Sequence, residues 1–517
     1  MNYKFLNWFF SVEVVLFGLI ITGLLPREAA LYLGATLVVY FLVVPLDDSL
    51  VFFVRSIPLF LALPITDSFD NFNTWRILAL VIFFKWFYVH KFKHYGLRIT
   101  NYFSIKKLFA IRYSLFAKLL IALLLLAVLS ILPAPDKMAA IKRIIFFLNF
   151  SVLGIVIYYK AADPAKSDDS GAGKEFTKRL IKNSVIPVIV VAVVGYIQLI
   201  STYFIDIYQF MRIWGEGIQC RQFGEQWCNI AVQLGNTWFS YYGEQLSLRV
   251  FSLFPDSHSF PQFALLGIPA VLMLIQKKWA RILVLSLIFL IVILSGTRGI
   301  WAASIGVVLF ALVIILYAKM GVSTKSAIAD SVDLKQVARY LIIFFVMFAV
   351  AFPIFSSPQF LVGKSDDFLK QRVKSIIDFG ETSNAQRIEI WKKTLSSIKE
   401  RPLLGVGIGN YPVVLGQDIR LAKAGSSAHN LYLNIAAEMG IAAGMIFVWF
   451  LWLLFKKNYE NFIIERDDKL KTYFAATLLY VPWVLIYSLT DVAIFDERAL
   501  LFFTLTIALI LGAKKLT

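Results

Sequence analysis

The stretch NSVIPVIVVAVVGYIQLISTYF, residues 183–204, decides the class of this protein. It carries no charged side chain, and as a helix it is long enough to cross the hydrocarbon core of a bilayer, which takes about 20 apolar residues. The whole chain has the same character, since 59% of its residues are hydrophobic, 16% are charged and the mean hydropathy is +0.73. Ordinary soluble proteins are less apolar. The sequence therefore predicts an integral membrane protein.

Apolar runs of similar length recur along the sequence. They predict an all-α polytopic membrane protein with about 14 transmembrane helices. The third run is short and contains Arg55 and Pro58, and Lys85 interrupts the fourth. The predicted spans are 8–25, 29–46, 50–63, 74–90, 115–133, 140–159, 183–204, 259–276, 281–297, 299–318, 339–356, 429–455, 472–489 and 499–513.

The distribution of Lys and Arg predicts the orientation of these spans. If the N-terminus is cytoplasmic, the short connections on the far side hold only Arg27, Lys137 and Arg498 as basic residues, whereas the cytoplasmic connections are rich in them. An excess of Lys and Arg on the cytoplasmic side is the usual pattern. We therefore expect both termini in the cytoplasm and two long connections, 205–258 and 357–428, on the extracytoplasmic face.

The long connections divide the chain into five parts, and long connections often carry function. The expected parts are N-terminal spans in 1–204, an extracytoplasmic loop in 205–258, further spans in 259–356, a large and partly helical extracytoplasmic loop in 357–428, and C-terminal spans in 429–517.

The net charge of +18 could indicate nucleic acid as a partner, but the membrane-length apolar runs argue against a soluble nucleic-acid-binding protein. The basic stretch 85–118 alternates Lys and Arg with aromatic residues, which suits a helix lying on anionic lipid headgroups. Stacking on nucleic acid is the alternative for this stretch. We expect membrane lipids, and not nucleic acid, as partners.

Two arginines fall on the predicted extracytoplasmic side. Arg298, in LSGTRGIWAAS, occupies a tight junction between two spans, where an interfacial anchor is the alternative role. Arg387 follows a capping signature, Ser383 with Gln386, in an amphipathic helix that Pro402 ends. Its guanidinium would lie near free backbone N–H groups, a natural anion site, with a solvated helix face as the alternative.

His429 stands in SSAHNLYLNIAAEMG, at the start of what the pattern predicts to be one long membrane helix. Ser426 or Ser427 would cap this helix and His429 would lie in its first turn, followed by the polar residues Asn430 and Tyr432. A helix N-terminus disfavours the imidazolium and leaves a neutral ring able to accept a proton. A capping or interfacial histidine is the alternative.

Three separate segments thus place Arg298, Arg387 and His429 on one predicted side of the membrane. A neutral histidine beside two arginines has the composition needed to hold a lipid diphosphate and to deprotonate an acceptor hydroxyl. We expect no cofactor and no metal, because the acidic pairs outside the spans lack the spacing of magnesium ligands. Asp491 and Asp496 are the next candidates for the base.

The glycines of GVGIGN, residues 405–410, do not predict a nucleotide site. No strand precedes them and no helix follows them, as the dinucleotide-binding fingerprint requires. We interpret them as a compact turn, with a phosphate-binding backbone nest as the alternative.

The segments SGTRG, QRIEIW…RPLLGVGIGNY and AHNLYLNIAAEMG, in this order, resemble the signature segments of the O-antigen ligase and polymerase superfamily over about residues 245–455. The resemblance implies a glycosyltransferase of the GT-C type in the inner membrane of a bacterium. Such enzymes build lipopolysaccharide and other cell-envelope polysaccharides on the periplasmic or extracellular face. They transfer a glycan from undecaprenyl diphosphate to a lipid, glycan or protein, without metal and with inversion.

The resemblance also assigns roles to residues. Arg298 and Arg387 match arginines that bind the donor diphosphate, and His429 matches a proposed base or positioning group. In LRVFSLFPDSHSF, Arg249 and Pro255 fit a further family segment, but Ser252 replaces a glycine and Asp256 an asparagine, which weakens the binding role of Arg249. Asn430 and Tyr432 complete the expected substrate contacts.

Cys220 and Cys228 both fall in the first long connection, so the predicted topology favours a disulfide between them in an oxidising compartment. The main rival to a transferase is a lipid or polysaccharide transporter without transferase activity, because Arg55, Arg76 and Lys85 lie inside early spans. A basic scaffold that only gathers lipid-linked glycans is a third possibility. The sequence does not distinguish a ligase from a polymerase.

Overall fold

The computed structural model describes residues 3–66, 72–92, 115–162, 172–234, 238–242, 245–319, 332–355, 357, 359, 361–362, 382–417, 419 and 426–513. Helices dominate these residues. In the first half they are α1 (Tyr3–Ile21), α2 (Ala29–Val43), α3 (Leu46–Ser56), α4 (Thr74–Phe92), α5 (Leu115–Leu129), α6 (Lys137–Ala162), α7 (Ala172–Asn183), α8 (Val185–Ser201), α9 (Ile207–Phe210), α10 (Cys220–Phe223) and α11 (Glu225–Leu234).

The second half contains the segments that resemble the family. Its helices are α12 (Ser259–Leu274), α13 (Lys278–Leu294), α14 (Arg298–Lys319), α15 (Val332–Phe355), α16 (Thr382–Glu400), α17 (Leu431–Met439), α18 (Ile441–Ile464), α19 (Asp468–Tyr487) and α20 (Glu497–Gly512). The short strands of both halves are β1 (Ala62–Leu63), β2 (Phe72–Asn73), β3 (Phe239–Tyr242), β4 (Gln245–Leu248) and β5 (Leu361–Val362).

Among the described residues, five stretches of helix are long and apolar enough to cross a membrane: Tyr3–Ile21, Lys137–Ala162, Ala172–Ser201, Ile441–Ile464 and Asp468–Tyr487. Large apolar side chains also remain exposed on the outside of the bundle, as at Leu125, Ile197 and Leu309. Such surfaces are compatible with lipid and costly in water. The predicted class, a helical membrane protein, is confirmed, while the number of about 14 crossings stays a prediction.

The third predicted span is wrong as a continuous helix. The helix α3 ends at Ser56, one turn of 3₁₀-helix follows at Ile57–Leu59, and the chain is then extended into β1. Pro58 provides the reason, because it lacks the backbone N–H that a longer helix would need. Arg55, beside the break, donates to the Oδ1 atoms of Asn183 at 2.8 Å and Asn7 at 2.8 Å. In the irregular stretch, the backbone oxygen of Pro58 accepts from Gln222 Nε2 at 3.2 Å, and that of Phe60 accepts from Arg498 Nη2 at 2.9 Å. These hydrogen bonds allow irregular backbone to be buried inside the protein.

The predicted single helix 429–455 is also wrong. Two helices, α17 and α18, meet at Gly440, whose φ is +89°. A Cβ at this position would lie 2.1 Å from the backbone oxygen of Leu403, so only glycine allows the loop after α16 to approach so closely. The N–H of Ile441 donates to the oxygen of Pro402 at 2.9 Å. The break therefore fixes the position of the segment that contains His429.

The two long connections pack against each other through a small sheet, which adds strand structure to the predicted all-α chain. Strand β4, from the first connection, pairs antiparallel with β3 and with β5, which comes from the second connection. The first connection also contains a π-helix at Met211–Gln219 and a disulfide between Cys220 and Cys228, with Cα atoms 4.9 Å apart. The chain just after β4 leads directly to the candidate site.

Candidate active site

A chain of polar side chains links Arg249, His258 and Asp491. Arg249 Nη1 lies 3.0 Å from His258 Nε2, and His258 Nδ1 lies 2.6 Å from Asp491 Oδ2. A guanidinium can only donate hydrogen bonds, so His258 Nε2 accepts and the ring proton is on Nδ1, from which it is donated to Asp491. The three residues come from β4's C-terminal end, the start of α12 and the connection between α19 and α20. Their side chains therefore join three parts of the fold at one point.

Local turns fix the position of His258. Asp256 Oδ1 accepts hydrogen bonds from the N–H of His258 at 2.8 Å and of Ser259 at 2.7 Å, as a capping residue does before a helix. Arg249 Nη1 donates a further hydrogen bond to Ser257 Oγ at 3.3 Å. The aspartate that stands in place of the family's asparagine thus holds the turn before α12.

The TRG junction packs against the same region. Thr297 Oγ1 donates to the backbone oxygen of Ser257 at 2.8 Å. A Cβ on Gly299 would lie 2.5 Å from Thr490 Oγ1 and 2.6 Å from the ring of Tyr487, so glycine permits α14 to start against the end of α19. Arg298 lies between these two contacts, as the first residue of α14.

Arg387 reaches the site on the predicted helix α16, which ends two residues before Pro402. Trp391, one turn further along this helix, donates its Nε1–H to the backbone oxygen of Ala428 at 2.9 Å and so ties α16 to the segment of His429. The positive charge of Arg387 influences the titration of His429 and Asp491. The structure therefore brings Arg387 near the same two groups.

His429 lies just before helix α17 and not in its first turn. The capping residue is Asn430, whose Oδ1 accepts from the N–H groups of Tyr432 and Leu433 at 3.0 Å each, so the prediction that Ser426 or Ser427 caps the helix is wrong. His429 has a φ of +45°, in the left-handed region. A non-glycine residue in this region costs about 1–3 kcal/mol and is often found at functional sites.

The ring of His429 faces the carboxylate of Asp491. The Nδ1 atom lies 4.0 Å from Asp491 Oδ2 and, among the described residues, has no hydrogen-bond partner. Burial lowers the pKa of His429, Asp491 opposes this shift, and Arg387 and His258 add to it. The ring is therefore neutral at pH 7.

Asp491 is ionised and firmly held. Burial alone would raise the pKa of its carboxyl, but His258, His429 and Arg387 hold that pKa below its usual range. Its Oδ1 accepts from the N–H of Val492 at 2.7 Å and of Ala493 at 3.1 Å. One fixed carboxylate is thus hydrogen-bonded to His258 and lies 4.0 Å from His429.

Asn430 and Tyr432 have contacts within the protein. The Asn430 side-chain oxygen caps α17, and the Tyr432 hydroxyl donates to the backbone oxygen of Leu485 at 2.9 Å. Their predicted contact with substrate stays a prediction. Their observed contacts cap α17, which begins two residues after His429, and tie it to α19.

The glycine loop is a compact turn. Its N–H groups at Val406, Gly407 and Ile408 donate to Ala437 O, Glu438 O and Ser130 Oγ at 2.9, 2.9 and 3.1 Å. Gly405, Gly407 and Gly409 all have positive φ. With these N–H groups bonded inside the protein, the turn does not form a phosphate nest from them.

The sequence interpretation missed His258 and gave Asp491 only a secondary place. His258 is one of four histidines in the chain, and it lies in the same quoted segment as Arg249. The small number of histidines in the chain was the sequence feature that could have indicated a role for His258. Their pairing depends on contacts between residues 233 positions apart, which a single sequence does not reveal. Among the described residues, no group of three or more His, Cys, Asp or Glu side chains could hold a metal ion.

Helices of membrane-crossing length around a site of arginines, histidines and a fixed carboxylate define a membrane protein with a candidate active site. Residues 281–448 match the family model described as O-antigen ligase. The match includes Arg298, Arg387 and His429, and it confirms the resemblance seen in the motifs. Arg249, His258 and Asp491 lie outside the matched residues. Comparison with curated proteins found no match.

Proposed function

We propose that this protein is a membrane glycosyltransferase of the O-antigen ligase or polymerase type. It transfers a glycan from a lipid diphosphate such as undecaprenyl diphosphate to a lipid, glycan or protein acceptor. The observation that carries the proposal is the position of Asp491 Oδ2, 2.6 Å from His258 Nδ1 and 4.0 Å from His429 Nδ1. A carboxylate in this position can stabilise the positive charge that a neutral histidine gains when it acts as a base.

In the proposed reaction, the acceptor hydroxyl oxygen attacks the anomeric carbon and the bond to the diphosphate oxygen breaks, which inverts the anomeric configuration. The Nε2 atom of His429 takes the proton of the hydroxyl, and Asp491, 4.0 Å from Nδ1, stabilises the positive charge that the ring gains. Negative charge grows on the leaving diphosphate, where Arg298 and Arg387 offer fixed positive charges and paired hydrogen bonds. These groups supply the needed stabilisation without a metal.

Arg249 has a supporting role in this proposal. Its Nη1 is engaged by His258 and Ser257, so it positions the His258–Asp491 pair. A contact between Arg249 and the donor diphosphate stays a prediction. The distribution of Lys and Arg supports an active site on the periplasmic or extracellular face, in a bacterial inner membrane with both termini in the cytoplasm.

The contacts of the early-span cations favour the transferase over the transporter. Arg55 is bound by two asparagines, Arg76 pairs with Glu497 at 2.6 Å, and Lys85 donates to backbone oxygens of α2 and the residue after it. Each cation therefore has a fixed structural partner. A transport pathway would require such charges to face a moving substrate.

The direct test uses purified protein, a lipid-diphosphate glycan and candidate acceptors. We expect Arg387→Ala and His429→Ala to reduce transfer by about 10²–10⁴-fold. The matched control is Lys393→Ala, an exposed residue on the same helix, which should keep full activity. A single transfer product would identify a ligase, and a ladder of lengths a polymerase. Transport of the lipid-linked glycan that survives both site changes, without any transfer, would reject the proposal.

A further inference from the structure

A second guanidinium site lies beside the candidate active site, at Arg143. The Cζ atom of Arg143 is 4.9 Å from the ring centre of Phe146, 5.1 Å from that of Phe147 and 4.9 Å from that of Phe495. Over the part of the chain that the structure describes, this guanidinium has no hydrogen-bond acceptor and no carboxylate within ion-pair distance. The side chain is only half-buried, so a ligand can reach it. Five N–H donors thus lie in an aromatic frame without an acceptor among the described residues.

The nearest carboxylates are already engaged elsewhere. The Oε1 atom of Glu497 accepts a hydrogen bond from Arg76 Nη2 at 2.6 Å, and its Oε2 atom accepts one from Trp75 Nε1 at 2.7 Å. Glu438 interacts with the backbone N–H groups of Gly409 and Tyr411. Both acids attract Arg143, but neither forms an ion pair with it. A cation held by rings, with its donors free, is suited to an external anion.

The site is separate from the expected diphosphate site but next to it. Arg387 acts electrostatically on His429 and Asp491, whereas the charged groups that act on Arg143 are Glu438, Glu497 and Arg76. Phe495 follows Asp491 by four residues, so their Cα atoms are at most about 14 Å apart. The turn between them is tight, since the N–H of Phe495 donates to Val492 O at 3.0 Å.

We propose that Arg143, framed by Phe146, Phe147 and Phe495, binds an anionic group of the acceptor, a phosphate or a carboxylate. This inference rests on the proposed transferase function, because it assigns Arg298 and Arg387 to the donor. A planar guanidinium binds either anion through two parallel hydrogen bonds. Partial burial among rings strengthens these bonds relative to water. Arg143 would therefore select anionic acceptors and hold them near His429.

The kinetic test compares three acceptor glycans that carry a phosphate, a carboxylate or no charge. Arg143→Met should raise the KM for the anionic acceptor about 10- to 100-fold, and leave the donor KM and the KM for the neutral acceptor unchanged. Arg143→Lys should restore part of the loss, since it keeps the charge but not the fork. The matched control is Lys142→Met, at the exposed neighbouring position. An equal loss with neutral and anionic acceptors, or no loss at all, would overturn the proposal.

The source of the anion is tested by varying the lipid. The assay is repeated in nanodiscs of phosphatidylcholine with and without phosphatidylglycerol. The effect of Arg143→Met should be present in both. An effect that appears only with phosphatidylglycerol would assign Arg143 to lipid headgroups and reject an acceptor site.

A binding experiment separates this inference from the proposed function. Purified Arg298→Met/Arg387→Met protein, in which the expected donor site is removed, is titrated with a sugar phosphate, a sugar uronate and a neutral sugar by ligand-observed NMR. We expect binding of at least one anionic sugar, lost when Arg143→Met is added and kept with Lys142→Met. Such binding without any transfer by the wild-type protein would reject the transferase alone. Transfer without Arg143-dependent binding would reject the acceptor site alone.

Discussion

Replacing Asp491 by asparagine tests the central geometry of the candidate site. The substitution keeps the shape of the side chain but removes the charge 4.0 Å from His429 Nδ1. In the proposed reaction His429 becomes an imidazolium, which Asp491 stabilises. At an effective dielectric constant of about 20, two unit charges at this separation interact by about 4 kcal/mol, equivalent to roughly 10³-fold in rate.

Solvent reduces this figure. The side chain of His429 is 33% exposed, although that of Asp491 is only 8% exposed. We therefore expect Asp491→Asn to lower kcat by about 10- to 100-fold. The donor KM should change much less, since Arg298 and Arg387 remain. Because Asp491 raises the pKa of His429, its loss should also move the acid limb of the rate profile to lower pH.

The assay measures kcat and KM between pH 5 and 8 with lipid-diphosphate donor in excess. Asp496→Asn serves as the matched control, because Asp496 lies in the same connection and caps α20 through its Oδ1, a role that asparagine also fills. Thermal unfolding of each variant checks that the fold is intact. An Asp491→Asn enzyme with wild-type kcat and an unchanged acid limb, or a larger loss in Asp496→Asn, would refute the assignment.

Three further predictions follow from other contacts. Because burial lowers the pKa of His429, wild-type kcat/KM should be constant around pH 7 and decline only below pH 6.5. A decline that begins above pH 6.5 would contradict the proposal that neutral His429 is the base. Gly299→Ala should lower the free energy of unfolding by about 1–3 kcal/mol and raise the donor KM, because the added Cβ would lie 2.5 Å from a neighbouring side-chain atom. The control is Gly18→Ala, whose Cβ would have nothing within 4 Å and which should melt like the wild type. Cys220→Ser/Cys228→Ser removes a disulfide across a sequence separation of 8 and should lower the free energy of unfolding by about 2–3 kcal/mol. Equal melting of the wild-type protein with and without reductant would disprove this prediction.

Much of the helical framework could be predicted from the sequence because its cause is local. A helix of membrane length requires only an uninterrupted apolar run, and the runs at 74–90 and 259–276 correspond to α4 and α12 within two residues at each end. The helix α16 was predicted from its capping signature and from Pro402 in the same way. These features depend on neighbours along the chain.

The breaks and the polar contacts depend on residues distant in sequence. The helix ends at Gly440 because the backbone oxygen of Leu403 approaches it closely, and Leu403 belongs to another segment of the chain. The residues around Gly440 do not indicate this contact. His258 likewise has no distinctive spacing, and its importance appears only when Arg249 and Asp491 lie on either side of its ring. Candidate residues could therefore be predicted singly, but the carboxylate that joins them could not.

Ser252 departs from the family pattern but adopts a backbone conformation that suits glycine. The serine stands where the family segment has glycine, and its φ is +53°, a value that glycine adopts without cost. Its Oγ donates to Val191 O at 2.7 Å and its N–H donates to Gln198 Oε1 at 3.0 Å, contacts that offset the strain. The backbone thus follows the course that a glycine would allow, and Arg249, three residues earlier, still reaches His258. The serine that weakens the role of Arg249 in the sequence is therefore compatible with the contact between Arg249 and His258.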